Sequence, residues 1–592
     1  MTETSVVDER ETTSRRSRLL RSARDRLSPF AVFSLLVAFA LASLAIVPLG
    51  RVVVGMFYVD GELTLQPIRD TLAVPDLLPL LGNTIAVVLV SGILALLIGS
   101  VFAWLNERTD ARMGFVTDAL PLLPFLLPPV AGAVGWVLLL SPRAGLLNAW
   151  IRDFLELFGL SLAEGPFNIH SWYGLISIYA VYQVPYVFLM MSAGLRNIDP
   201  SLEEQSRMSG AGLVRTLRKV TLPALAPSMG AAILLMVWTG FGIFSLPAIV
   251  GTPAGIDVLS VRIVRLLSFT YPPETEVAVG LSGFVVIFVA IAYAIQVRLL
   301  KSGRHATVGG KGHRIRRIEL GRWLWPSRAL MIGYVLIAAV LPVGALVLVS
   351  LNGFWTANID WANLSFDAFS RAVFDDRVTQ RALRNSLLLG VFGGLIGITA
   401  AAVVALFVAK TRNTMSRVMD GAIKLPAAIS NIVIAVGIVL VFAGPPFRLA
   451  GTLTILLMGY LALYMPQGSV AADAAAGQVG KELPEASHIS GAGRGRTFRK
   501  IYLPLMVPGL VAGWALLFIR MAGDLTASAI LAGTRNPVVG FRILEVYTGG
   551  SYALLASLST VLVLITCTVL VLVTAYTRRM SKWGIETKVG GV

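Results

Sequence analysis

The amino-acid sequence predicts an all-α polytopic membrane protein, with about 12 transmembrane helices in two parallel six-helix repeats. Of the 592 residues, 56% are hydrophobic and only 14% are charged, against roughly 25% charged residues in an average soluble domain. Apolar stretches of about 20 residues, long enough to cross the hydrocarbon core of a bilayer, recur along the chain. A segment of the first half also recurs in the second. Disorder and an ordinary soluble enzyme are therefore excluded.

Apolar stretches of the required length are expected to be helices, because a spanning helix satisfies its own backbone hydrogen bonds. Six precede the centre of the chain, at about 30–50, 81–105, 119–140, 172–193, 227–250 and 277–297. Six follow it, at about 329–351, 385–409, 422–443, 452–473, 507–530 and 553–576. Prolines inside several stretches predict kinks or breaks that face protein rather than lipid.

The first apolar stretch could belong to a secretory signal. Such a signal has a short basic region, an apolar core of about 7–15 residues and a cleavage site of small residues. Here the basic region 1–28 is long and the apolar core has about 20 residues, although Ala40-Leu41-Ala42 is similar to a cleavage site. These features favour an uncleaved first span.

Basic residues predict the orientation of the spans. With the N-terminus inside, 36 of the 50 Lys and Arg residues lie in inner connections, as the positive-inside rule requires. A net charge of +17 is also typical of a nucleic-acid binder. However, these cations alternate with apolar spans and form no single basic face. We therefore expect a multi-pass membrane protein with both termini cytoplasmic, the lipid bilayer around it and no nucleic-acid partner.

A glycine-rich, basic linker divides the chain into two units with six spans each. An even number of spans returns each unit to the same side, so the units have the same orientation, related by an axis along the membrane normal. The predicted order is a cytoplasmic tail (1–28), a first unit (29–300), a cytoplasmic linker (301–327), a second unit (328–577) and a cytoplasmic tail (578–592).

The two units also match in sequence. Residues 209–223 (SGAGLVRTLRKVTLP) and 490–504 (SGAGRGRTFRKIYLP) are identical at ten of fifteen positions, without a gap. The offset is 281 residues here and 302 residues earlier in the units, because the outer connection 141–171 has no full counterpart. Equivalent positions include Pro185 and Pro466, Glu204 and Glu485, Asn83 and Asn385, and Pro124 and Pro426. These matches indicate an internal duplication.

Each repeated segment belongs to an inner loop between the fourth and fifth spans, at 194–226 and 474–506. Two short helices are expected in each loop. In the first loop Asp199 precedes Pro200 as a helix cap, and Ser201 with Glu204 has the spacing of a capping box. The glycine after each first helix permits a left-handed stop.

A basic amphipathic segment follows these glycines in both loops. Binding to anionic lipid headgroups would explain the basic residues. It would not explain an acidic residue and a glycine at the same spacing in both copies. A docking surface for a two-fold cytoplasmic partner explains both features.

The segment from 204–210 (EQSRMSG) to Leu222-Pro223 resembles the EAA loop of ABC importer permeases, and 485–491 (EASHISG) with Leu503-Pro504 resembles it more closely. The first copy has Gln205-Ser206 where the family usually has two alanines. In that family the loop forms a coupling helix seated in a cleft of the ATP-binding subunit. The resemblance implies these coupling residues: Glu204, Gly210, Ala211, Gly212, Leu222, Pro223, Glu485, Ala486, Gly491, Ala492, Gly493, Leu503 and Pro504.

Two fused permease units are similar to the ferric-iron and thiamine importer group, as are 103–110 (AWLNERTD) and 523–528 (GDLTAS). The resemblance implies a type I ABC importer fold in the bacterial plasma (inner) membrane, two copies of an ABC ATPase subunit and an extracytoplasmic substrate-binding protein. ATP-driven closure of the ATPases would rock the two halves and open the pathway alternately. Fe(III) is the expected substrate; thiamine, polyamines or another small solute are alternatives.

Two other classes of membrane protein stay open. A twelve-span secondary transporter can also have two parallel halves, but usually carries titratable residues at the midplane, and it leaves the paired loops unexplained. A non-transporting receptor or scaffold explains neither the duplication nor the loops.

We expect no catalytic residue and no cofactor on this chain, with ATP and Mg bound by the partner ATPase. The nearest match to an ATP-binding loop, Gly309-Gly310-Lys311-Gly312, lacks the leading glycine and the Ser or Thr that the motif requires. Cys567 is the only cysteine and the four histidines are scattered. No metal site is therefore expected.

Arg520 and Asp524 are the pathway candidates. They lie four residues apart in the eleventh apolar stretch, a spacing that predicts one helix face and mutual contact. Intramembrane charges usually face the bundle interior or water, although a purely structural ion pair is the alternative. The first unit has Thr239 and Ile243 at these positions. Residues that could line the pathway or merely pack are Trp136, Tyr182, Pro185, Trp238 and Phe241.

Overall fold

The structure is a computed structural model that describes residues 29–59, 61–114, 123–302, 317–411, 414–480 and 482–582. Its regular structure is helical apart from a hairpin of two-residue strands, β1 (Tyr58–Val59) and β2 (Glu62–Leu63), paired antiparallel. The predicted tail 1–28, most of the linker 301–327 and most of the tail 578–592 lie outside the described residues. The predicted domain boundaries stay predictions.

The helices of the first unit contain its spans and the first inner loop. In chain order they are α1 (Pro29–Gly55), α2 (Gln66–Leu72), α3 (Leu77–Arg108), α4 (Leu123–Leu126), α5 (Pro129–Leu140), α6 (Leu146–Glu156), α7 (Trp172–Asn197), α8 (Pro200–Met208), α9 (Leu213–Thr216), α10 (Leu222–Gly242), α11 (Leu259–Val264) and α12 (Thr275–Ser302).

The helices of the second unit follow the same plan. They are α13 (Leu324–Val335), α14 (Leu341–Asn352), α15 (Asp367–Ser370), α16 (Arg377–Leu388), α17 (Gly394–Thr411), α18 (Thr414–Lys424), α19 (Asn431–Ile438), α20 (Leu453–Gly477), α21 (Glu482–Ile489), α22 (Arg494–Thr497), α23 (Leu503–Ala522), α24 (Ser528–Leu531), α25 (Val539–Thr548) and α26 (Tyr552–Lys582). Short π-helical turns join α13 to α14 and α16 to α17, so each pair is one span.

Within the described ranges, ten helices are long and apolar enough to cross a membrane, or up to twelve when two bent helix pairs are each counted as one span. This count agrees with the prediction. The ten are α1, α3, α7, α10, α12, α13 with α14, α16 with α17, α20, α23 and α26.

The third apolar stretch of each unit is a broken helix rather than a straight span. In the second unit Thr414–Ala427 and Asn431–Ala443 meet at 98°. In the first unit α5 is only 12 residues long; Leu127 and Pro128 separate it from α4, and Pro129 is its first residue. Proline ends a helix because it lacks the backbone donor and its ring clashes with the preceding turn. Both breaks are covered by protein, since Leu127 and Ser430 are buried.

The fifth spans are shorter than predicted. Helix α10 ends at Gly242 and α23 ends at Ala522, where the sequence predicts helix to about 250 and 530. In the first unit the chain then forms two short helical segments, Pro247–Ala254 and Leu259–Phe269, bent by 99°. Hydropathy alone does not separate these segments from a continuation of the span.

The two units exchange their first spans. Helix α1 packs against α17, α19 and α20 of the second unit, and α14 packs against α5 of the first. Two equivalent glycines permit this close approach. A Cβ on Gly437 would lie 2.5 Å from the Pro48 carbonyl oxygen, and one on Gly135 would lie 2.5 Å from that of Pro342. One large hydrophobic core therefore includes residues of both units.

Equivalent hydrogen bonds confirm the duplication. Asn83 Nδ2 donates to the backbone oxygen of Asp257 at 3.1 Å, and Asn385 Nδ2 donates to that of Pro537 at 2.8 Å. The next residue in each unit, Thr84 or Ser386, accepts from a backbone amide with its hydroxyl oxygen at 2.9 Å. The second spans thus hold the segments after the fifth spans in the same way in both units.

Candidate functional site

The two inner loops have the same local structure. In the first, α8 and α9 are followed by a π-helical turn (Leu217–Thr221) and then by α10. In the second, α21 and α22 are followed by a π-helical turn (Phe498–Tyr502) and then by α23. Since the π-helical turn runs directly into the fifth span, each loop is continuous with a transmembrane helix.

Side-chain and backbone geometry also repeat in the loops. The hydroxyls of Ser206 and Thr216 are 3.0 Å apart, and those of their equivalents Ser487 and Thr497 are 2.9 Å apart. Gly210 and Gly491 have φ angles of +80° and +77°. The predicted left-handed stop is confirmed at both glycines.

The helix cap of the first loop is confirmed, and its capping box is wrong. Asp199 Oδ1 accepts a hydrogen bond from the Ser201 amide at 2.9 Å, with Pro200 at the first helical position. Ser201 therefore lies inside α8 and cannot be the cap residue of a box with Glu204. An aspartate one residue before a proline is the better cap, because its carboxylate reaches the free amide that follows.

Both loops present exposed apolar residues at equivalent positions. Met208 is 88% exposed and its equivalent Ile489 is 87% exposed, each at the end of its loop helix. Apolar side chains this exposed are typical of an interaction surface. Most predicted coupling residues are exposed and the rest are half-buried; the exposed ones are Glu204, Gly210, Gly212, Leu222, Pro223, Glu485, Ala486, Gly491, Gly493 and Leu503, and the half-buried ones are Ala211, Ala492 and Pro504.

The first loop is fastened to the bundle by a buried arginine. Arg108, at the end of α3, is 2% exposed and its Nε lies 3.1 Å from Glu203 Oε2. Its Nη2 donates to the backbone oxygens of Leu195 and Ile198 at 2.9 and 3.3 Å. Thr221 Oγ1 donates to the other oxygen of Glu203 at 2.8 Å. One guanidinium thus joins the second span, the end of the fourth span and the loop helix.

Sequence comparison of the two units did not identify Glu203, because its equivalent is Pro484. The available signal was Arg108, an arginine at the end of a long apolar stretch, which needs an acidic partner if it is buried. In the second unit, ion pairs join α18 to α20 and do not involve the loop helix α21. Lys424 Nζ lies 2.6 Å from Asp473 of α20 and 2.5 Å from Asp420 of α18.

A small central chamber of about 90 Å³ lies between the two units. Its walls come from equivalent elements of both, namely α7 with α20, α10 with α23, and the broken third spans. Equivalent lining residues are Tyr186 and Gln467, Trp238 and Ile519, Thr239 and Arg520, Gly242 and Gly523, Ile243 and Asp524, Ser245 and Thr526, and Pro129 and Asn431. The chamber therefore lies on the axis that relates the units.

Both pathway candidates line this chamber, and their predicted common helix face is wrong. Helix α23 ends at Ala522, so Asp524 lies beyond it. Arg520 Nη2 donates to Tyr186 Oη of the first unit at 3.0 Å. Asp524 accepts from Tyr464 Oη at 2.6 Å and from two backbone amides, those of Ala527 and Ser528, at 2.9 and 3.0 Å. The helix stops before Gly523, so Asp524, four residues after Arg520, does not share a helix face with it.

Of the five aromatic and proline candidates, Tyr182 and Trp238 line the chamber; Trp136, Pro185 and Phe241 do not line it. Trp238 Nε1 donates to the Ile429 carbonyl of the second unit at 2.6 Å.

Three buried oxygens at the chamber, Tyr182 Oη, Gln467 Oε1 and Asn431 Oδ1, have no hydrogen-bond partner in the part of the chain that the structure describes. Asn431 and Gln467 were missed from sequence, although amides in apolar stretches are a signal.

The sequence matches the family described as "Binding-protein-dependent transport system inner membrane component" twice, over residues 93–303 and 393–583. The two matches together cover more than half of the chain. They contain the two loops and the chamber-lining spans α7, α10, α20 and α23.

Several curated proteins are similar. The ferric transport system permease protein FbpB of Actinobacillus pleuropneumoniae is 23% identical over 533 residues, 88% of this chain and 74% of the relative. The Fe(3+)-transport system permease protein FbpB 2 of Haemophilus influenzae is 22% identical over 499 residues, 83% of this chain and 88% of the relative. The sulfate transport system permease protein CysT of Salmonella typhimurium is 27% identical over 214 residues, 35% of this chain and 73% of the relative.

Proposed function

The chain belongs to the family of binding-protein-dependent transport system inner membrane components, and we propose that it is the permease of an ATP-driven importer of Fe(III). It is a multi-pass membrane protein and a transport subunit in which two permease units are fused. In the proposal two ATPase subunits act on its cytoplasmic loops, and a substrate-binding protein delivers Fe(III) on the opposite side.

The exposed pair Met208 and Ile489 carries the proposal for the ATPases. The two residues occupy equivalent positions, and each is almost fully exposed at the end of a loop helix. Exposed apolar side chains in two matched loops favour two copies of one partner. Glu204 and Glu485, exposed four residues before them, supply the charge that orients such a partner.

Movement of the loops would reach the membrane through rigid connections. Each loop runs through a π-helical turn into a fifth span. The buried Arg108 also holds the first loop to the second and fourth spans. When two ATPases close, the loops approach each other, and the fifth spans, α10 and α23, move with them. The chamber between these spans is then the point that opens alternately to each side.

The similarity to two ferric permeases over most of their length supports Fe(III) as the substrate. Thiamine and polyamines are the second candidates. The similarity to a sulfate permease shows that relatives of one permease unit are named for other substrates. The concentration of Lys and Arg in alternate connections supports the proposed orientation of both termini toward the cytoplasm.

Capture of the ATPase tests the docking surface. The full chain with an affinity tag, co-expressed with an ABC ATPase subunit from the same organism, should retain the ATPase on purification. The double variant Met208→Glu with Ile489→Glu should lose it, because two buried charges would face an apolar cleft. Leu157→Glu, at an 82% exposed leucine in the outer connection, is the matched control and should retain it. Full retention by the double variant would refute the docking surface.

Uptake tests substrate and energy source. Proteoliposomes with the full chain, the ATPase and the binding protein should accumulate radiolabelled Fe(III) only when ATP is supplied. Accumulation of labelled thiamine but not of Fe(III) would identify thiamine as the substrate in place of Fe(III). Uptake driven by a proton gradient without ATP would favour a secondary transporter.

A further inference from the structure

We propose that the central chamber binds an anionic oxygen ligand, an oxyanion or a carboxylate, through Arg520. The ligand is either the free anion or the anion that accompanies Fe(III). The statement that the anion accompanies Fe(III) rests on the proposed function, whereas the anion site itself rests on the chamber alone.

The charge in the chamber is asymmetric. Arg520 replaces Thr239 of the first unit, and its guanidinium crosses the axis to donate to Tyr186 Oη at 3.0 Å. A cation inside a membrane protein is costly, so it faces water, a counter-charge or a substrate. Arginine at a constriction attracts anions and excludes cations.

The carboxylate of Asp524 is already engaged by the protein. Its Oδ1 accepts from Tyr464 at 2.6 Å, and its Oδ2 accepts from the amides of Ala527 and Ser528 at 2.9 and 3.0 Å. Asp524 is 5% exposed. These donors stabilise the negative charge and hold the turn between α23 and α24. Asp524 therefore acts as a structural group, because protein donors already use three of the roughly four acceptor positions of its carboxylate.

Three further groups can donate to an anion. Tyr182 Oη is buried without a hydrogen-bond partner among the described residues, and so are the side-chain oxygens of Asn431 and Gln467. A tyrosine hydroxyl can donate a proton, and each amide can turn its NH₂ group inward. They come from the fourth span of the first unit and from the third and fourth spans of the second.

The size of the chamber suits a small oxyanion. Its volume is about 90 Å³, several times the roughly 15 Å³ that one water molecule requires. Two sides of the ligand would meet donors, from Arg520 on one unit and Tyr182 on the other. A ligand held between the units would then be released when the units separate. The chamber therefore disfavours free cations, namely thiamine, polyamines and bare Fe(III), and Fe(III) would pass only together with its anion.

Binding to the purified full chain tests the site. Equilibrium dialysis with labelled inorganic phosphate and labelled citrate, each with and without Fe(III), should show saturable binding of at least one anion. Arg520→Gln should weaken it at least about tenfold, because one charged partner is lost. Arg520→Lys should keep part of the affinity. The exposed Arg535→Gln is the control and should change nothing.

A second variant tests the proposal if Arg520→Gln fails to fold. The double variant Thr239→Arg with Arg520→Thr moves the guanidinium to the equivalent position across the axis. It should bind the anion more tightly than Arg520→Thr alone. Wild-type affinity in folded Arg520→Gln, or no saturable binding of any anion to the wild type, would overturn the proposal.

Double-label uptake distinguishes the two sources of the anion. If the anion accompanies Fe(III), labelled iron and labelled phosphate or citrate should accumulate together in proteoliposomes. Anion binding without Fe(III) uptake would overturn the proposed iron substrate and leave the anion site standing. Iron accumulation without an anion label, together with unchanged uptake in Arg520→Gln, would overturn the anion site and leave the proposed function standing.

Discussion

The guanidinium of Arg108 and the carboxylate of Glu203 form a buried ion pair, with Nε and Oε2 3.1 Å apart and side chains 2% and 9% exposed. It joins the end of α3 to α8, the first helix of the first loop. The adjacent acid, Glu204, is exposed. Two neighbouring glutamates therefore have different tasks, one inside the protein and one at its surface.

Glu203→Gln should destabilise the protein and weaken coupling. Removing one partner of a buried pair costs about 3–5 kcal/mol, because the other charge stays buried without compensation. Thermal unfolding in detergent should show a lower midpoint. Glu204→Gln should leave the midpoint unchanged and reduce ATPase retention. Equal midpoints for both variants would contradict the assignment.

Gly210→Ala and Gly491→Ala should each disturb a loop through the backbone alone. A Cβ there meets no atom within 4 Å, but φ is +80° and +77°, which costs an L-residue about 1–2 kcal/mol. We expect faster proteolysis within the altered loop and lower ATP-driven uptake. Gly495→Ala is a matched control, since Gly495 lies in helix α22 and a Cβ there also meets open space. A similar effect of Gly495→Ala would argue against backbone strain.

Gly132→Ala should displace Tyr182 from the central chamber. A Cβ on Gly132 would lie 1.7 Å from Tyr182 Oη, so the tyrosine ring must move. Uptake should fall although the substituted residue does not line the chamber. Gly92→Ala in α3 is the control, because its Cβ would meet only Gln183 Oε1 at 3.9 Å. Normal uptake by Gly132→Ala would show that the position of Tyr182 is unimportant.

Gly135→Ala and Gly437→Ala should weaken the contact between the units to a similar extent. In both cases the new methyl group would lie 2.5 Å from a backbone carbonyl, which cannot rotate away as a side chain could. Overpacking of this kind costs about 1–3 kcal/mol. Thermal unfolding should report it, and Gly344→Ala in α14, with nothing within 4 Å, should be neutral. Strongly unequal effects would mean that the exchange is not symmetric.

Asp376 should give the protein an acid-dependent stability. Burial alone would raise the pKa of Asp376, but hydrogen bonds from Thr379, Arg542 and the Val378 amide outweigh burial and lower the pKa from 3.8 to about 2. Since the folded pKa lies below the unfolded one, the contribution is complete above pH 4 and is lost as pH falls toward 2. Asp376→Asn should therefore unfold at a lower temperature than wild type near pH 7, with the difference shrinking at acid pH. A difference independent of pH would contradict this account.

The sequence predicts those parts of the fold that depend on local pattern. Straight spans follow from apolar length, and the duplication follows from the matched loops. The glycine stops at Gly210 and Gly491 and the cap at Asp199 follow from backbone preference. Each of these depends on residues close together in the chain, so a single sequence is sufficient to predict it. The coupling roles of the loop residues stay predictions.

Other features depend on contacts between distant segments. Glu203 is important only because α3 places Arg108 beside it. Asp524 lies off the face of Arg520 because α23 ends at Ala522, and the next residue, Gly523, lies against Pro128 of the other unit. Asn431 and Gln467 reach the chamber through broken or proline-containing helices, whose direction hydropathy does not specify.

The exchanged first spans also determine when the protein can complete its fold during synthesis. Helix α1 enters the membrane first, yet the surfaces that cover it, α17, α19 and α20, are more than 300 residues further along the chain. A ribosome must therefore finish most of the second unit before the first helix is covered. Two separately expressed halves would have to associate before the first span of each could pack on the other. In a fused chain this packing is intramolecular and occurs at high effective concentration.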